Sequence, residues 1–305
     1  MSDLNKFEKY IISHKDKIKI SSKEVKRGDI FLALKGKNYH GNKFIIEAIK
    51  KGAKYCLTDN LHYKKNNKIL YVKSIFDILS VIAKKKRELY KGTVIGITGS
   101  AGKTTLKETL AFFLAKDNII SFSKKSYNNE LGVLISLLNL NLDSKYAIFE
   151  IGTNNFGEIK SLTKQVKPSE VFITNIQSTH LENFKTKKNI AKEKSDIFSF
   201  FDQTSIAIIP FETDYYNLIS KKASQKTKLI YSFGQNKNCD FRIITREKSV
   251  SKFLVIDKEF NFKNNQSSNN WEQNIIIILG LIRILNIKIK NIIPLIMKLT
   301  PIEGR

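Results

Sequence analysis

Short apolar runs separated by longer mixed stretches recur along almost the whole chain, and their spacing is that of alternating strands and helices. Between residues 19 and 91 the runs are Ile30-Phe31-Leu32-Ala33-Leu34, Tyr55-Cys56-Leu57 and Ile69-Leu70-Tyr71-Val72, with helix-like stretches such as residues 43–51 between them. This pattern predicts a small N-terminal α/β domain over residues 1–90. A new regime opens at Thr93, where Val94-Ile95-Gly96-Ile97-Thr98 reads as a buried strand running into a glycine-rich turn and a helix over residues 103–114. Three later runs, Tyr146-Ala147-Ile148-Phe149, Val171-Phe172-Ile173-Thr174 and Ile206-Ala207-Ile208-Ile209, are separated by segments long enough to be helical crossovers. That alternation predicts a central domain over residues 91–300 with a mostly parallel sheet flanked by helices, giving an α/β fold class overall. Residues 233–262 read as short strands and turns, followed by a polar tract over 264–270 and a helix from about Trp271. The most apolar run, Ile275 to Ile282, is broken by Arg283, Lys288 and Lys290, short of the roughly 20 residues that cross a bilayer, and reads as a buried helix.

Composition changes this picture little. With 305 residues and 42% hydrophobic content, two domains can each bury a core. The 53 Lys and Arg against 28 Asp and Glu leave a formal charge of +25, which raises the question of nucleic acid. The lysines are spread over the whole chain and form neither a basic helix nor a stripe interleaved with aromatics, so no nucleic-acid partner is expected. Cys56 and Cys239 stand far apart with no ligand spacing around them, which argues against a disulfide framework and a zinc site. The opening Met1-Ser2-Asp3-Leu4-Asn5-Lys6 lacks the apolar stretch of a signal peptide, and a cytoplasmic location is expected.

The chemistry concentrates at Gly99-Ser100-Ala101-Gly102-Lys103-Thr104-Thr105. A glycine-rich turn between a strand and a helix lets backbone N–H groups approach phosphate oxygens, and the helix start adds positive potential. Lys103 can then reach the terminal phosphates and Thr104 can ligate magnesium. The bland alternative is an ordinary strand-to-helix turn, but three of the 14 glycines fall between Gly96 and Gly102, directly before Lys-Thr-Thr. The strict phosphate-loop pattern asks for glycine at position 97, where this chain has Ile97. Glu150, at the end of its apolar run, would emerge at the carboxyl edge of the sheet beside the loop as a candidate magnesium ligand. His180, one of four histidines, follows the next strand.

The shortened loop Thr98-Gly99-Ser100-Ala101-Gly102-Lys103-Thr104-Thr105 resembles that of the Mur ligases, which join amino acids or peptides to UDP-linked muramic acid precursors of bacterial cell walls. The resemblance extends to Ile151-Gly152-Thr153-Asn154-Asn155-Phe156-Gly157-Glu158-Ile159 after Glu150, to Thr174-Asn175-Ile176-Gln177-Ser178-Thr179-His180, and to Ile190-Ala191-Lys192-Glu193-Lys194-Ser195-Asp196-Ile197-Phe198. It implies ATP and Mg2+ as cofactors, with one magnesium held by Thr104 and Glu150. A second lies at His180 and at Lys194, the lysine that the family carbamylates into a carboxylate-like ligand. It also implies nucleotide contacts at Asn274 and Arg305, although Gln273 stands where relatives commonly carry histidine.

Ser126-Tyr127-Asn128-Asn129-Glu130-Leu131-Gly132 resembles the segment near the muramoyl peptide, implying substrate contacts at Asn128 and Asn129. Ser21, Ser22 and Lys23, with Lys35 and Gly36, resemble the uridine-binding start, Lys23 replacing a usual arginine. The segment after Glu150 points to the members that add D-alanyl-D-alanine to the UDP-N-acetylmuramoyl-tripeptide through an acyl phosphate, acting as monomers. Relatives continue past a pair like Gly304-Arg305 into a third domain, so residues 301–305 are expected to be the start of a missing one and the chain a truncated ligase. Another Mur or folylpolyglutamate-type ligase, or a non-catalytic nucleotide-binding fragment, are the alternatives.

Overall fold

The computed structural model describes residues 3–36, 39–63, 67–246, 250–263 and 269–287. The chain divides into two compact units, residues 1–92 with 134–144, and residues 93–133 with 145–305.

In the first unit, α1 (Asp3–Ser13) precedes β1 (Ile18–Lys19) and β2 (Ile30–Leu32), and α2 (Ile45–Lys50) precedes β3 (Tyr55–Thr58) and β4 (Ile69–Tyr71). The four strands lie in sequence order as an all-parallel sheet. The helix expected over 43–51 is realised as a 3-10 turn, Gly41–Phe44, running into α2. Ser74 caps α3 (Ile75–Leu89) by accepting from the Asp77 N–H at 3.2 Å. The buried positions of α3 are Ile75, Leu79, Ile82, Ala83 and Lys86, one apolar stripe at helical spacing whose last place is taken by a lysine. The ammonium of Lys86 donates to the carbonyls of Ile11, His14 and Leu138, each at 2.7 Å.

The second unit opens with β5 (Thr93–Thr98), α4 (Lys103–Leu114) and β6 (Ile120–Phe122). After α5 (Glu130–Leu138), which from Leu134 on belongs to the first unit, come β7 (Tyr146–Glu150), α6 (Glu158–Val166) and β8 (Glu170–Ile173). There follow α7 (Leu181–Phe184), α8 (Lys187–Ser195), β9 (Ile206–Pro210), α9 (Tyr216–Ser224), β10 (Leu229–Gly234), β11 (Phe241–Arg246), β12 (Val250–Val255), β13 (Lys258–Lys263) and α10 (Asn269–Ile284). The nine strands run β13-β12-β11-β10-β9-β8-β5-β7-β6. Every neighbouring pair from β6 to β11 is parallel, and β12 and β13 close one edge as an antiparallel hairpin.

Burial follows from that layering. β7 and β8 are buried at every residue because helices cover both faces, whereas β12 alternates between half-buried and buried positions as a strand with one covered face does. The run Ile275 to Ile282 is buried along α10, as expected. Gly280 is what lets α10 approach β11, since a Cβ there would sit 2.2 Å from the Phe241 ring. The expected α/β class, with a mostly parallel sheet in the larger part, is borne out. The topology also fixes a crevice. After β5 the chain moves to β6 and returns to β7 on one side, then crosses to β8 on the other, so the carboxyl ends of β5, β7 and β8 meet at a switch point.

Candidate functional site

The turn between β5 and α4 is held open by its glycines and by the segment after β8. Gly99 adopts φ +145°, and a Cβ on it would fall 1.9 Å from Thr174 Oγ1 and 3.0 Å from the Thr174 nitrogen. Gly102, the residue before α4, is left-handed at φ +79°, with open space where its side chain would be. Thr174 Oγ1 and Asn175 Nδ2 donate to the Ala101 carbonyl at 2.6 and 3.2 Å, and the Ala101 N–H donates to Asn175 Oδ1 at 2.9 Å. Ser100 is fixed at both ends. Its N–H donates to the Asn175 carbonyl, while its hydroxyl donates to the Gln177 carbonyl and accepts from the Gln177 N–H. The loop is therefore preorganised by its neighbour.

Two cations converge on one carbonyl. Lys103 Nζ donates to the Gly99 oxygen at 2.8 Å and to Ser100 O at 3.3 Å, and Lys194 Nζ donates to the same Gly99 oxygen at 2.9 Å. Burial pulls the Lys103 amine below its ordinary range, with Glu150 opposing. Burial, reinforced by the charge of Lys103, brings Lys194 down to about 7 against the opposing charge of Glu193. Two ammonium groups beside the first turn of a helix, with a sterically open Gly102 between strand and helix, make a site short of negative charge. A polyphosphate fits that deficit.

Glu150 ends β7 only 1% exposed. Its Oε2 accepts from Thr104 Oγ1 at 2.9 Å and its Oε1 from Asn128 Nδ2 at 2.8 Å. The pair of Thr104 hydroxyl and Glu150 carboxylate suits a hard divalent ion that takes few protein oxygens and completes its shell from phosphates and water. Among the described residues no group of three or more His, Cys, Asp or Glu is placed to hold a metal without such help.

The remaining candidates divide. His180 is exposed, left-handed at φ 55°, and lies three residues past Gln177, so the two Cα atoms are within about 11 Å. It makes no hydrogen bond to Lys194. Thr105 continues α4, and Asn129 Oδ1 accepts from the Gly132 N–H at 2.9 Å. Asn274 is 7% exposed on α10, and Gln273 beside it lines a cavity of about 420 Å³ with Thr174, Asn175, Pro210, Glu212 and Phe233. Arg305 lies outside the described residues. In the first unit, residues 21–23 follow β1 and residues 35–36 follow β2, at one edge of the small sheet. There the Ser22 hydroxyl donates to Glu47 at 2.9 Å, the Gly36 N–H donates to the Tyr39 carbonyl at 2.9 Å, and Lys23 and Lys35 are exposed.

Four contributors had no role in the sequence reading. Thr174 and Asn175 brace the loop. Glu193, 3% exposed, accepts from the Gly157 and Ile159 N–H groups at 2.8 and 2.9 Å and so fixes the start of α6 after Glu150. Lys107, with a fully buried side chain, lies 3.7 Å from Glu150 Oε2. Its signal was present: a lysine three residues after Thr104 and four after Lys103 shares their helix face.

Residues 97–282 match the Mur ligase middle domain. The chain belongs to the Mur ligase family. Residues 15–113 match a second description, Mur ligase family, catalytic domain. Curated relatives include the UDP-N-acetylmuramoyl-tripeptide–D-alanyl-D-alanine ligase of Rickettsia prowazekii, 39% identical over 231 residues, covering 75% of this chain and 51% of the relative. The enzyme of that name from Escherichia coli is 30% identical, covering 74% and 50%. Among solved structures, the MurF ligase from Thermotoga maritima in complex with ADP superposes with a TM-score of 0.79 at 28% identity, over 97% of this chain and 68% of that one. The chain thus spans about half the length of the curated relatives it matches. The resemblance drawn from the loop is borne out at the level of the family. Among the described residues no helix is long and apolar enough to cross a membrane.

Proposed function

We propose that this Mur ligase chain carries the nucleotide-binding and carboxylate-activating machinery of an ATP-dependent ligase that joins D-alanyl-D-alanine to UDP-N-acetylmuramoyl-tripeptide in the cytoplasm. The observation that carries this reading is Lys103, donating to the Gly99 carbonyl at the start of α4, with Thr104 and Glu150 in contact beside it and Lys194 Nζ at the same carbonyl. A carboxylate is a poor electrophile. Transfer of the γ-phosphoryl group to the tripeptide's terminal carboxylate gives ADP and an acyl phosphate, and attack by the dipeptide amine forms the amide and releases phosphate.

The residues' tasks follow from their chemistry. The Gly102 and Lys103 N–H groups, together with the Lys103 side chain, would hold the β and γ phosphates and stabilise the charge that develops on transfer. Thr104 and Glu150 would hold one magnesium, and His180 with carbamylated Lys194 a second; the ions supply neutralisation of phosphate charge. Burial of Lys194 supports carbamylation, because the neutral amine is the form that adds to carbon dioxide. The cavity beside Gln273 and Asn274 is the candidate seat of the nucleobase. Asn128 and Asn129 face the muramoyl peptide, and Ser21, Ser22, Lys23, Lys35 and Gly36 bind the uridine end. Names of the relatives support the choice of acceptor and dipeptide.

The test is calorimetric titration of the chain with ATP in magnesium, beside Lys103→Ala. Binding that the substitution weakens at least about tenfold is expected for a lysine donating to phosphate. Equal affinity of the two proteins overturns the reading. A panel of UDP-muramoyl peptides, measured on the same protein, separates the tripeptide from other acceptors.

A further inference from the structure

The sequence reading and the family resemblance leave one buried cation of the site without a task. Lys107 Nζ, on a side chain with no exposed surface, lies 3.7 Å from Glu150 Oε2 and 3.2 Å from Glu108 Oε1, and it donates to the carbonyl of Lys125. Lys125 is left-handed at φ 50°, a conformation that a lysine adopts at a cost. The chain it belongs to bears Ser123, whose hydroxyl accepts from the Glu150 N–H at 3.2 Å. It also bears Ser126, 3.5 Å from Thr104 Oγ1, and Asn128, which donates to Glu150.

A single ammonium therefore joins three parts: the helix of the phosphate loop, the strand-end carboxylate, and the segment between β6 and α5. We propose that Lys107 is a positioning residue for magnesium-nucleotide binding, holding Glu150 and the residue 123–128 segment in the pose that presents the Glu150–Thr104 oxygens. The inference rests on the function proposed above, in assigning a divalent ion to those oxygens. The physical reason for a lysine is specific. Glu150 is buried with neutral donors from Thr104 and Asn128, and a carboxylate so placed needs a positive neighbour in the absence of metal. An apolar residue would supply no charge, and Lys103, although its charge and that of Glu150 act on each other, gives its hydrogen bonds to the Gly99 and Ser100 carbonyls. The donation to Lys125 adds a mechanical task, since it secures a strained residue whose relaxation would move Asn128 away from Glu150.

The experiment compares the chain with Lys107→Met in three measurements: thermal melting, ATP affinity in chelator and in magnesium, and amide hydrogen exchange of residues 123–129 without metal. Expected are a cooperative melt, affinity in chelator within about twofold of the parent, a loss of about tenfold in the gain that magnesium confers, and exchange of the 123–129 segment about tenfold faster. An unchanged magnesium gain together with unchanged exchange overturns the proposal. If the methionine variant does not fold, Lys107→Gln carries the same readouts. It keeps a donor for the Lys125 carbonyl but no charge, so near-parental exchange with a magnesium gain lowered at least about threefold is expected. An unchanged gain again overturns the idea. Failure of the underlying reading looks different: the parent and Glu150→Gln would then show the same affinity with and without magnesium.

Discussion

Lys86 in the first unit and Lys194 in the second are buried to nearly the same extent, 0% and 3% exposed, and burial pulls both amines down to about 7. Their surroundings differ in acceptors. Lys86 spends all three N–H donors of its ammonium on the carbonyls of Ile11, His14 and Leu138, so it is a rivet between α1, α3 and the end of α5. Lys194 has one acceptor among the described residues, the Gly99 oxygen, which it shares with Lys103. Equal burial with unequal saturation separates a cation that holds the fold from one with donors to spare for a ligand.

The largest effect expected from that contrast is at the rivet. Lys86→Met leaves three carbonyls without their donor and should cost about 3–5 kcal/mol of folding free energy. Urea unfolding measures it, and a midpoint unchanged from the parent would remove the distinction between the two lysines.

Gly99→Ala attacks the shared acceptor instead. A Cβ 1.9 Å from Thr174 Oγ1, on a residue at φ +145°, forces the Gly99 carbonyl or the Thr174 segment to move. Strain of about 1–3 kcal/mol is expected, with a drop in ATP affinity of at least about tenfold because Lys103 and Lys194 lose their common anchor. Lys194→Met should behave oppositely to Lys86→Met in stability. Replacing a cation that makes one hydrogen bond with an apolar side chain of similar length is expected to be neutral or to stabilise by about 1 kcal/mol. Phosphoryl transfer to the tripeptide should be lost all the same, and unfolding and turnover assays on one preparation read both.

The contrast was only half visible in the sequence. The β5 strand, its glycine turn and helix Lys103–Leu114 were legible because a continuous apolar run ends in glycines and meets a helical period, three local signals that agree. Glu150 was legible from its place at a strand end. β1, two residues long, is too short for any period to reveal. The role of Lys86 was hidden for another reason. It occupies a core position of α3 with three carbonyl partners 52 to 75 residues away, and nothing local distinguishes it from the chain's many solvated lysines. Thr174, Asn175 and Glu193 were hidden likewise, since each acts on backbone groups of a segment far off in sequence and such pairs appear only once strand order is known.

The smallest effect is in the pH dependence of stability. A lysine that titrates near 10.5 when unfolded and at about 7 when folded binds more protons in the unfolded state between those values. Its burial cost is present in full below about 7 and is relieved as pH rises toward 10.5, so stability rises with pH across this window. Lys86 and Lys194 share the direction, but not the price of losing a proton. A neutral amine has two N–H donors, so deprotonation breaks one of three hydrogen bonds at Lys86 and none at Lys194. Lys194 should therefore release its proton first. Urea unfolding of the parent in carbon dioxide-free buffer should show a gain of roughly 1 kcal/mol between about pH 7 and about pH 8. Lys194→Met should lose most of that gain. An equal slope in parent and variant would show that the spare donors of Lys194 leave its proton as firmly held as that of Lys86. Restoring carbon dioxide sharpens the test, because carbamate formation withdraws the neutral amine and should steepen the parent's slope while leaving the variant unmoved.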